Sequence, residues 1–317
     1  MIQSSTNGLG LFKFPNLSAC PDLIHGVFTR HGGNSPPPFD SLNMSDSAGD
    51  RPENVERNRA AVSACCDGLP LIFLNQVHGD EILVFSRDEP APDPTGKRQG
   101  DAMITNRPGL MLAVKLADCQ GVLLHDPDKK VTAAVHSGWR GSVADIIGKT
   151  IDRMKTEFGC RPGDILAGIS PSLGPCCAEF VNYKKELPAH FRPYKDGRDH
   201  FDFWQISRAQ MTAAGIPENN IEIAAVCTSC RTDLFYSYRK EGRTGRFTVV
   251  AGMVKSSFQV AVNRFGDERG QGHDGDLGID AQRGGHRAAV GYIKVPDIIG
   301  FTAGTDCPPG GVGGHAA

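Results

Sequence analysis

Between Leu71 and Val135 the chain carries a series of short apolar runs separated by turn-forming residues. Leu71 to Leu74, Glu81 to Phe85, Met103 to Thr105, Met111 to Leu116, Gly121 to Leu124 and Val131 to Val135 are each too short for an ordinary helix. Arg107-Pro108-Gly109 and Asp126-Pro127-Asp128 punctuate them. A chain built this way must fold around sheets. Its polar residues at the run ends are then delivered to shared clefts.

Further strands are predicted at Ile24 to Phe28, Ile165 to Ile169, Ile221 to Val226 and Phe247 to Val250. The Pro-rich stretch Asn34 to Asp40 reads as a loop. A helix is predicted from Pro52 through Val55, Ala60, Ala61 and Ala64, with Glu53 and Glu56 where the helix dipole favours them. A second runs from about Ser142 to Phe158, with Val143, Ile146, Ile147, Ile151 and Met154 on one face and Gly159 as C-cap. A third lies near Ile206 to Ala214 and stops at Gly215. Strands outnumber helices and no clean βαβ alternation appears. The expected fold class is therefore α+β, or layered α/β, with mixed β-sheets.

At 317 residues the chain suits one large domain or two small ones. One domain is expected over residues 1–255. Residues 256–317 form a Gly-rich extension with a moderately apolar stretch at Ala288 to Phe301, expected to be partly or wholly disordered. The formal charge of −2 argues against a nucleic-acid binder and leaves small molecules as the expected partners. No apolar run approaches the roughly 20 residues needed to span a bilayer. The N-terminus, Met-Ile-Gln-Ser-Ser-Thr-Asn, lacks a secretory pattern, so a cytoplasmic setting is expected. Ten cysteines are too few for a disulfide scaffold at this length and read as free thiols, some reactive or metal-binding.

The chemistry concentrates between Asn75 and Gly141, in Asn-Gln-Val-His-Gly-Asp, Ala-Asp-Cys and His-Ser-Gly-Trp-Arg-Gly. His78, Cys119 and His136 sit at or just beyond apolar runs, where loops held by rigid elements carry function. Their residue types suit an open zinc site, and equally a thiolate meeting two imidazoles. Asp118 stands ready to orient a neighbouring imidazole or act as a base. Arg140, just ahead of the predicted helix, can serve an anion or pack on Trp139. Arg243 and Arg246 flank a Gly-rich turn before the last strand. Cys227-Thr-Ser-Cys230 follows a strand, but a structural zinc needs a second pair and the adjacent Cys176-Cys177 is awkward for one ion, so buried thiols are expected.

At these residues the chain resembles the multicopper polyphenol oxidase or laccase-domain family, whose members are now described as purine nucleoside phosphorylases. The matching pieces are Thr29-Arg-His-Gly-Gly, Ser41-Leu-Asn-Met, Asn75-Gln-Val-His-Gly, Asp101-Ala-Met-Ile-Thr, Ala117-Asp-Cys, His136-Ser-Gly-Trp-Arg-Gly, Gly174-Pro-Cys-Cys and Thr244-Gly-Arg, ordered as in the family from Ile24 to Gly252. The resemblance implies a single α+β domain of layered mixed β-sheets with flanking helices, similar to a cysteine-hydrolase-like fold, and a zinc ion on His78, Cys119 and His136. It implies phosphorolysis of adenosine, inosine and methylthioadenosine, with adenosine deamination. Older descriptions of the family give copper-dependent phenol oxidation, and some relatives are described as amidases editing peptidoglycan precursors. Departures at Lys115-Leu116, Ser137, Ala178 and Ser170-Pro171 leave the implied ligands intact and bear on substrate preference.

Zinc-assisted chemistry on purine nucleosides is the leading expectation. Arg140 is the first candidate for phosphate, with Arg246 and Arg30 behind it, and Cys119, Asp118 and Arg140 form the expected catalytic set. A true multicopper oxidase needs a His-rich cluster, and the sequence has ten histidines without a His-x-His pair. A cysteine amidase and a zinc-stabilised binding module are the other rivals. A monomer or weak homo-oligomer is expected, with no membrane or nucleic-acid partner.

Overall fold

Alternation with period two divides the central strands between separate cores, and this fixes the layering. In the strand Leu110–Leu116, Leu110, Leu112, Val114 and Leu116 face one buried cluster while Met111 and Ala113 face another. A strand buried on both faces must lie inside a sheet that is covered on both sides.

The computed structural model describes residues 1–90 and 98–254. The chain opens with β1 (Ile2–Thr6), β2 (Leu9–Lys13), α1 (Pro15–Ser18) and β3 (Leu23–Phe28), followed by α2 (Pro52–Cys65) and β4 (Leu71–Ile72). Next come β5 (Ile82–Phe85), β6 (Ala102–Thr105), β7 (Leu110–Leu116), β8 (Gln120–Asp126) and β9 (Val131–Ser137). The second half holds α3 (Trp139–Val143), α4 (Ile146–Phe158), β10 (Leu166–Ile169), α5 (Tyr183–Glu186) and α6 (Phe203–Ala213). It closes with β11 (Ile221–Ile223), α7 (Tyr238–Glu241) and β12 (Phe247–Met253). The Gly-rich extension expected over 256–317 lies outside the described residues.

Two six-stranded sheets result, in the orders β1-β2-β3-β12-β7-β4 and β11-β10-β8-β9-β6-β5. Both are mixed: β4 pairs parallel to β7, and β5 and β11 pair parallel to β6 and β10, while the remaining pairs are antiparallel. The inter-sheet core joins Leu112, Val114, Phe247 and Val249 of the first sheet to Leu83, Met103, Leu123 and Ala134 of the second. The outer face of the first sheet packs Met111, Ala113 and Val250 against Val62 of α2. The outer face of the second packs Ile104, Leu124 and Val135 against Ile147, Ile151 and Met154 of α4. The architecture is helix, sheet, sheet, helix, as the strand-rich pattern predicts. Among the described residues no helix is long and apolar enough to cross a membrane.

Three local departures have physical causes. The first strand pair lies outside the sequence expectation, although Asn7 and Gly8 at φ 49 and 81 form the left-handed turn that Asn-Gly favours in hairpins. The helix expected over Ser142–Phe158 is broken, because Asp145 takes φ 54 and its carboxylate caps Gly148 N at 3.2 Å. Val143 therefore ends α3 instead of joining the apolar face of α4, and it is exposed. Gly159 does cap α4 in the left-handed region, at φ 66. The strand expected to reach Val226 stops at Ile223, two residues before Ala225 enters the left-handed region at φ 52.

The first sheet packs directly on the backbone where β8 starts. A Cβ added at Gly121 would lie 2.5 Å from Val249 Cγ2 and 2.8 Å from Leu116 Cδ1, both immobilised in the core. Gly121→Ala is expected to destabilise the fold by about 1–3 kcal/mol through overpacking. Gly163→Ala, where a Cβ meets nothing within 4 Å, is expected to stay within about 0.5 kcal/mol of the parent. Urea unfolding of both variants tests this, and equal midpoints would contradict it.

Candidate metal centre

The same alternation carries polar groups to the rim of the sandwich. Met103 of β6 and Ala134 of β9 point between the sheets. Two residues along, Asp101 and His136 therefore take the same face at its edge. Both are buried, and His136 N donates to Asp101 O at 2.7 Å. The other two residues come from connections that pass from one sheet to the other. His78 lies between β4 and β5, and Cys119 between β7 and β8.

One ligand atom each from His78, Cys119 and His136 lies within 4.8 Å of the others. His78 is exposed, Cys119 half-buried and His136 buried, so the group opens to solvent on the His78 side. The imidazoles meet edge to face with centroids 4.8 Å apart. His78 sits at φ 60 and Asp118, immediately before Cys119, at φ 88. Left-handed backbone at non-glycine residues costs on the order of 1 kcal/mol or more and gathers at functional sites.

Asp101 holds the group together. Its carboxylate accepts from Val77 N at 3.2 Å, His78 N at 3.0 Å, Gly79 N at 2.7 Å and His136 Nδ1 at 2.7 Å. With Nδ1 engaged, Nε2 is the ring nitrogen His136 can offer to an ion. Metal-binding histidines characteristically use a carboxylate in this way. Gly138 faces the same space: a Cβ there would lie 3.0 Å from both Cys119 Sγ and His78 Cδ2. Two imidazole nitrogens and a thiolate, so spaced and kept clear by a glycine, fit a zinc-sized ion.

The electrostatics of the protein residues alone form an ion pair. Burial pushes the Cys119 thiol up, but the charge of His136 and hydrogen bonds from His136 and His78 outweigh it and bring the pKa to about 6. Burial pushes His136 down, while the Cys119 charge and Asp101 overcome it and raise the pKa to about 9. Asp101 is lowered: burial raises it, and the bonds and charge of His136 with the loop N–H groups prevail. These residues can hold a cation or, without one, a thiolate beside an imidazolium.

Asp118 has a different place from the one expected. It orients no imidazole, because its Oδ1 accepts from Thr228 Oγ1 at 2.7 Å and Ser237 Oγ at 2.6 Å, and its Oδ2 from Arg239 N at 2.6 Å. Burial raises its pKa against those bonds. It fastens the loops beside Cys119, and Asp101 takes the orienting role. In the sequence Asp101 opens the matching piece Asp101-Ala-Met-Ile-Thr, and nothing in that piece marks it as the partner of His136.

The candidate arginines separate into three environments. Arg140 is exposed and lays its guanidinium over Trp139 at 4.7 Å. Arg30 is buried, its Nε and Nη1 donate to Asp40 O, Thr232 O and Glu241 Oε1 at 2.8–2.9 Å, and its Nη2 pairs with Asp40 Oδ2 at 3.7 Å. It borders an open cavity of about 500 Å³ with Arg243 and Glu241, but His78, Cys119 and His136 do not line that cavity. Arg246 is the candidate whose charge acts on Cys119: burial lowers its pKa, the charges of Cys119 and Asp118 oppose that, and its Nη1 donates to Thr244 O and Gly245 O at 2.9 Å. Lys115 is also lowered by burial, with Arg59 and Arg246 among the charges acting on it.

A purine nucleoside phosphorylase from Bacteroides thetaiotaomicron is 33% identical over 260 residues, spanning 77% of this chain and 96% of that protein. One from Deinococcus radiodurans is 35% identical over 268 residues, spanning 81% and 98%. The crystal structure of YlmD from Geobacillus stearothermophilus superimposes with a TM-score of 0.70 at 28% identity, covering 80% of this chain and 98% of that one. Residues 24–254 match the family described as multi-copper polyphenol oxidoreductase laccase, and with that match over most of its length the chain belongs to this family.

Proposed function

We propose that the chain is a zinc-dependent purine nucleoside phosphorylase acting on adenosine, inosine and methylthioadenosine in the cytoplasm, as a monomer or weak homo-oligomer, with adenosine deamination as a second activity. The observation that carries this is the donor group of His78, Cys119 and His136, open on one side and with the charge of Arg246 acting on Cys119. The relatives' names supply the reaction class. Phosphorolysis transfers no electrons, so a redox-inert ion suits it. Among the described residues the histidine-containing donor group has three members, short of a multicopper cluster.

A zinc ion held by these three side chains would supply Lewis acidity beside the nucleoside. The chain's own residues supply position and charge. Asp101 fixes the His136 ring and, through three backbone N–H groups, the His78 loop. Arg246 provides positive charge for a phosphate. In the reaction a phosphate oxygen bonds to ribose C1′ as the bond from C1′ to the purine breaks, and the base leaves with a proton. Held beneath C1′, the phosphate reacts as a positioned neighbour instead of a diffusing solute.

The paired Cys119 and His136 favour one second reading. A thiolate beside an imidazolium that Asp101 orients is the working arrangement of a cysteine nucleophile, so metal-free protein is a candidate amidase.

Product analysis with adenosine separates these readings. Ribose 1-phosphate and adenine are expected with phosphate present, inosine as the minor product, and no amide turnover after metal removal. Cys119→Ser is expected to lose one zinc equivalent and at least about 100-fold in phosphorolysis rate, in line with loss of a group on which the site is built. Full zinc and full activity in that variant would sink the proposal.

Arg246→Ala is expected to raise the KM for phosphate about 10- to 100-fold, the worth of one charge-assisted hydrogen bond, with a smaller effect on the nucleoside KM. Arg140→Ala is expected to leave both nearly unchanged. The opposite ranking would move the phosphate to Arg140.

In metal-free protein the Cys119 thiolate is expected to appear with a midpoint near pH 6, read by its ultraviolet absorbance and absent from Cys119→Ser. A thiol pKa depressed from 9.0 to about 6 gives stability present at high pH and lost as pH falls through 6. An imidazole raised from 6.5 to about 9 gives stability present at low pH and lost as pH rises through 9. The shared ion pair therefore stabilises metal-free protein most between those values. Asp101→Asn weakens the imidazolium and is expected to move the Cys119 midpoint upward; an unchanged midpoint would remove Asp101 from the pair.

A further inference from the structure

We propose that Cys176, Cys177 and Cys227 form a second metal site, which takes a soft d10 cation such as Cu(I) or Zn(II) through three thiolates. Their sulfurs, with that of Cys230, all lie within 4.8 Å of one another. Ligands at about 2.3 Å in a plane around one ion stand roughly 4 Å apart, so only small side-chain adjustments are needed. Cys230 Sγ lies 3.7 Å from Cys176 Sγ and 3.6 Å from Cys177 Sγ, but it is disulfide-bonded and stands outside the ligand set. The other three cysteines are free thiols.

The fold brings these sulfurs together through the backbone. Cys176 and Cys177 follow β10 and Cys227 follows β11, two strands that pair parallel. The pairing continues as an isolated bridge between Ser172 and Cys227, with Ser172 N on Val226 O at 3.1 Å and Thr228 N on Ser172 O at 3.0 Å. Gly174 permits the close approach: a Cβ there would lie 2.9 Å from Cys227 Cβ and 2.8 Å from Trp204 Cη2. Neighbouring side chains diverge on an extended strand, but Cys176 and Cys177 occupy a turn closed by Cys177 N on Gly174 O at 2.9 Å. That turn removes the geometric objection the adjacent pair raises in the sequence.

The donor group contains sulfur alone, with no imidazole or carboxylate, and such a set selects soft cations over hard ones. Cys227 is buried while Cys176 and Cys177 are half-buried, which leaves an entry path on their side. The cluster is distinct from His78, Cys119 and His136 but joined to them mechanically. Leu173 N donates to Asp118 O at 2.8 Å, and Arg239 Nη1 donates to Cys177 O at 3.2 Å while its backbone N reaches Asp118. An ion here braces the loops against the residue preceding Cys119 and takes no part in the reaction itself.

The test uses the full chain under anaerobic conditions. Loading with Cu(I) or Zn(II) is expected to give one metal equivalent that persists in Cys119→Ser and binds at least tenfold more weakly in Cys177→Ser. X-ray absorption of the Cu(I)-loaded Cys119→Ser protein is expected to show sulfur neighbours only. Because a substitution in this packed region can compromise folding, alkylation of the unmutated protein gives an independent reading: peptide mass spectrometry is expected to show Cys176 and Cys177 protected by the added ion. Equal alkylation with and without both ions, nitrogen or oxygen neighbours in the absorption spectrum, or an equivalent unaffected in a folded Cys177→Ser protein would each overturn the assignment.

Discussion

The carboxylate of Asp101 is the interaction on which the candidate metal centre depends. One side chain accepts three successive backbone N–H groups of the Val77–Gly79 loop and the Nδ1 of His136. These belong to different parts of the sandwich, since the loop leads from the first sheet to the second and His136 lies within β9, one residue before its end. A buried carboxylate is costly unless its oxygens are occupied, and here they are fully occupied. The loop that carries His78 and the ring of His136 therefore cannot shift independently. A glycine at position 138 then leaves the space between them open.

This arrangement follows from the sandwich itself. Strand alternation sends Met103 and Ala134 into the inter-sheet core and sets Asp101 and His136 two residues further along at its rim. The chain crosses between sheets at the same rim, once after β4 and once after β7, and each crossing delivers one donor. Packing and chemistry are coupled at Gly121, which pairs with His136 across β8 and β9 and lets Val249 and Leu116 close over it. Widening the core there would move the strand that carries His136.

Much of this is legible in the sequence, because short apolar runs and their punctuation are local signals. The runs from Leu71 to Val135 foretell the central strands, and Gly159 foretells the end of α4. His78, Cys119 and His136 can be grouped because strand ends are where sheets place polar residues. Long-range partnership leaves no local trace. Asp101 has no neighbour in sequence that reveals its four hydrogen bonds, and Asp118 beside Cys119 looks the better orienter until the loop of Thr228 and Ser237 covers it. Arg30 and Arg140 differ in burial for the same reason, since Glu241 and Asp40 that surround Arg30 lie far from it or in a folded-back loop. Cys176, Cys177 and Cys227 meet only because β10 and β11 pair.

The metal and nucleophile readings share Cys119, His136 and Asp101, so the residue that discriminates between them is His78. A cysteine nucleophile needs one imidazole and one orienting carboxylate, and it has no use for a second histidine edge-on to the first. Yet His78 is held at φ 60, a conformation an L-residue resists, with its N–H anchored to the same Asp101 that serves His136. Backbone strain of this kind persists where the surrounding bonds impose it, and here they impose it in order to bring a further nitrogen within 4.8 Å of the thiol. Three convergent donors of this type have a purpose around a cation. The strain at His78 is therefore the strongest structural support for reading Cys119 as a ligand before a nucleophile.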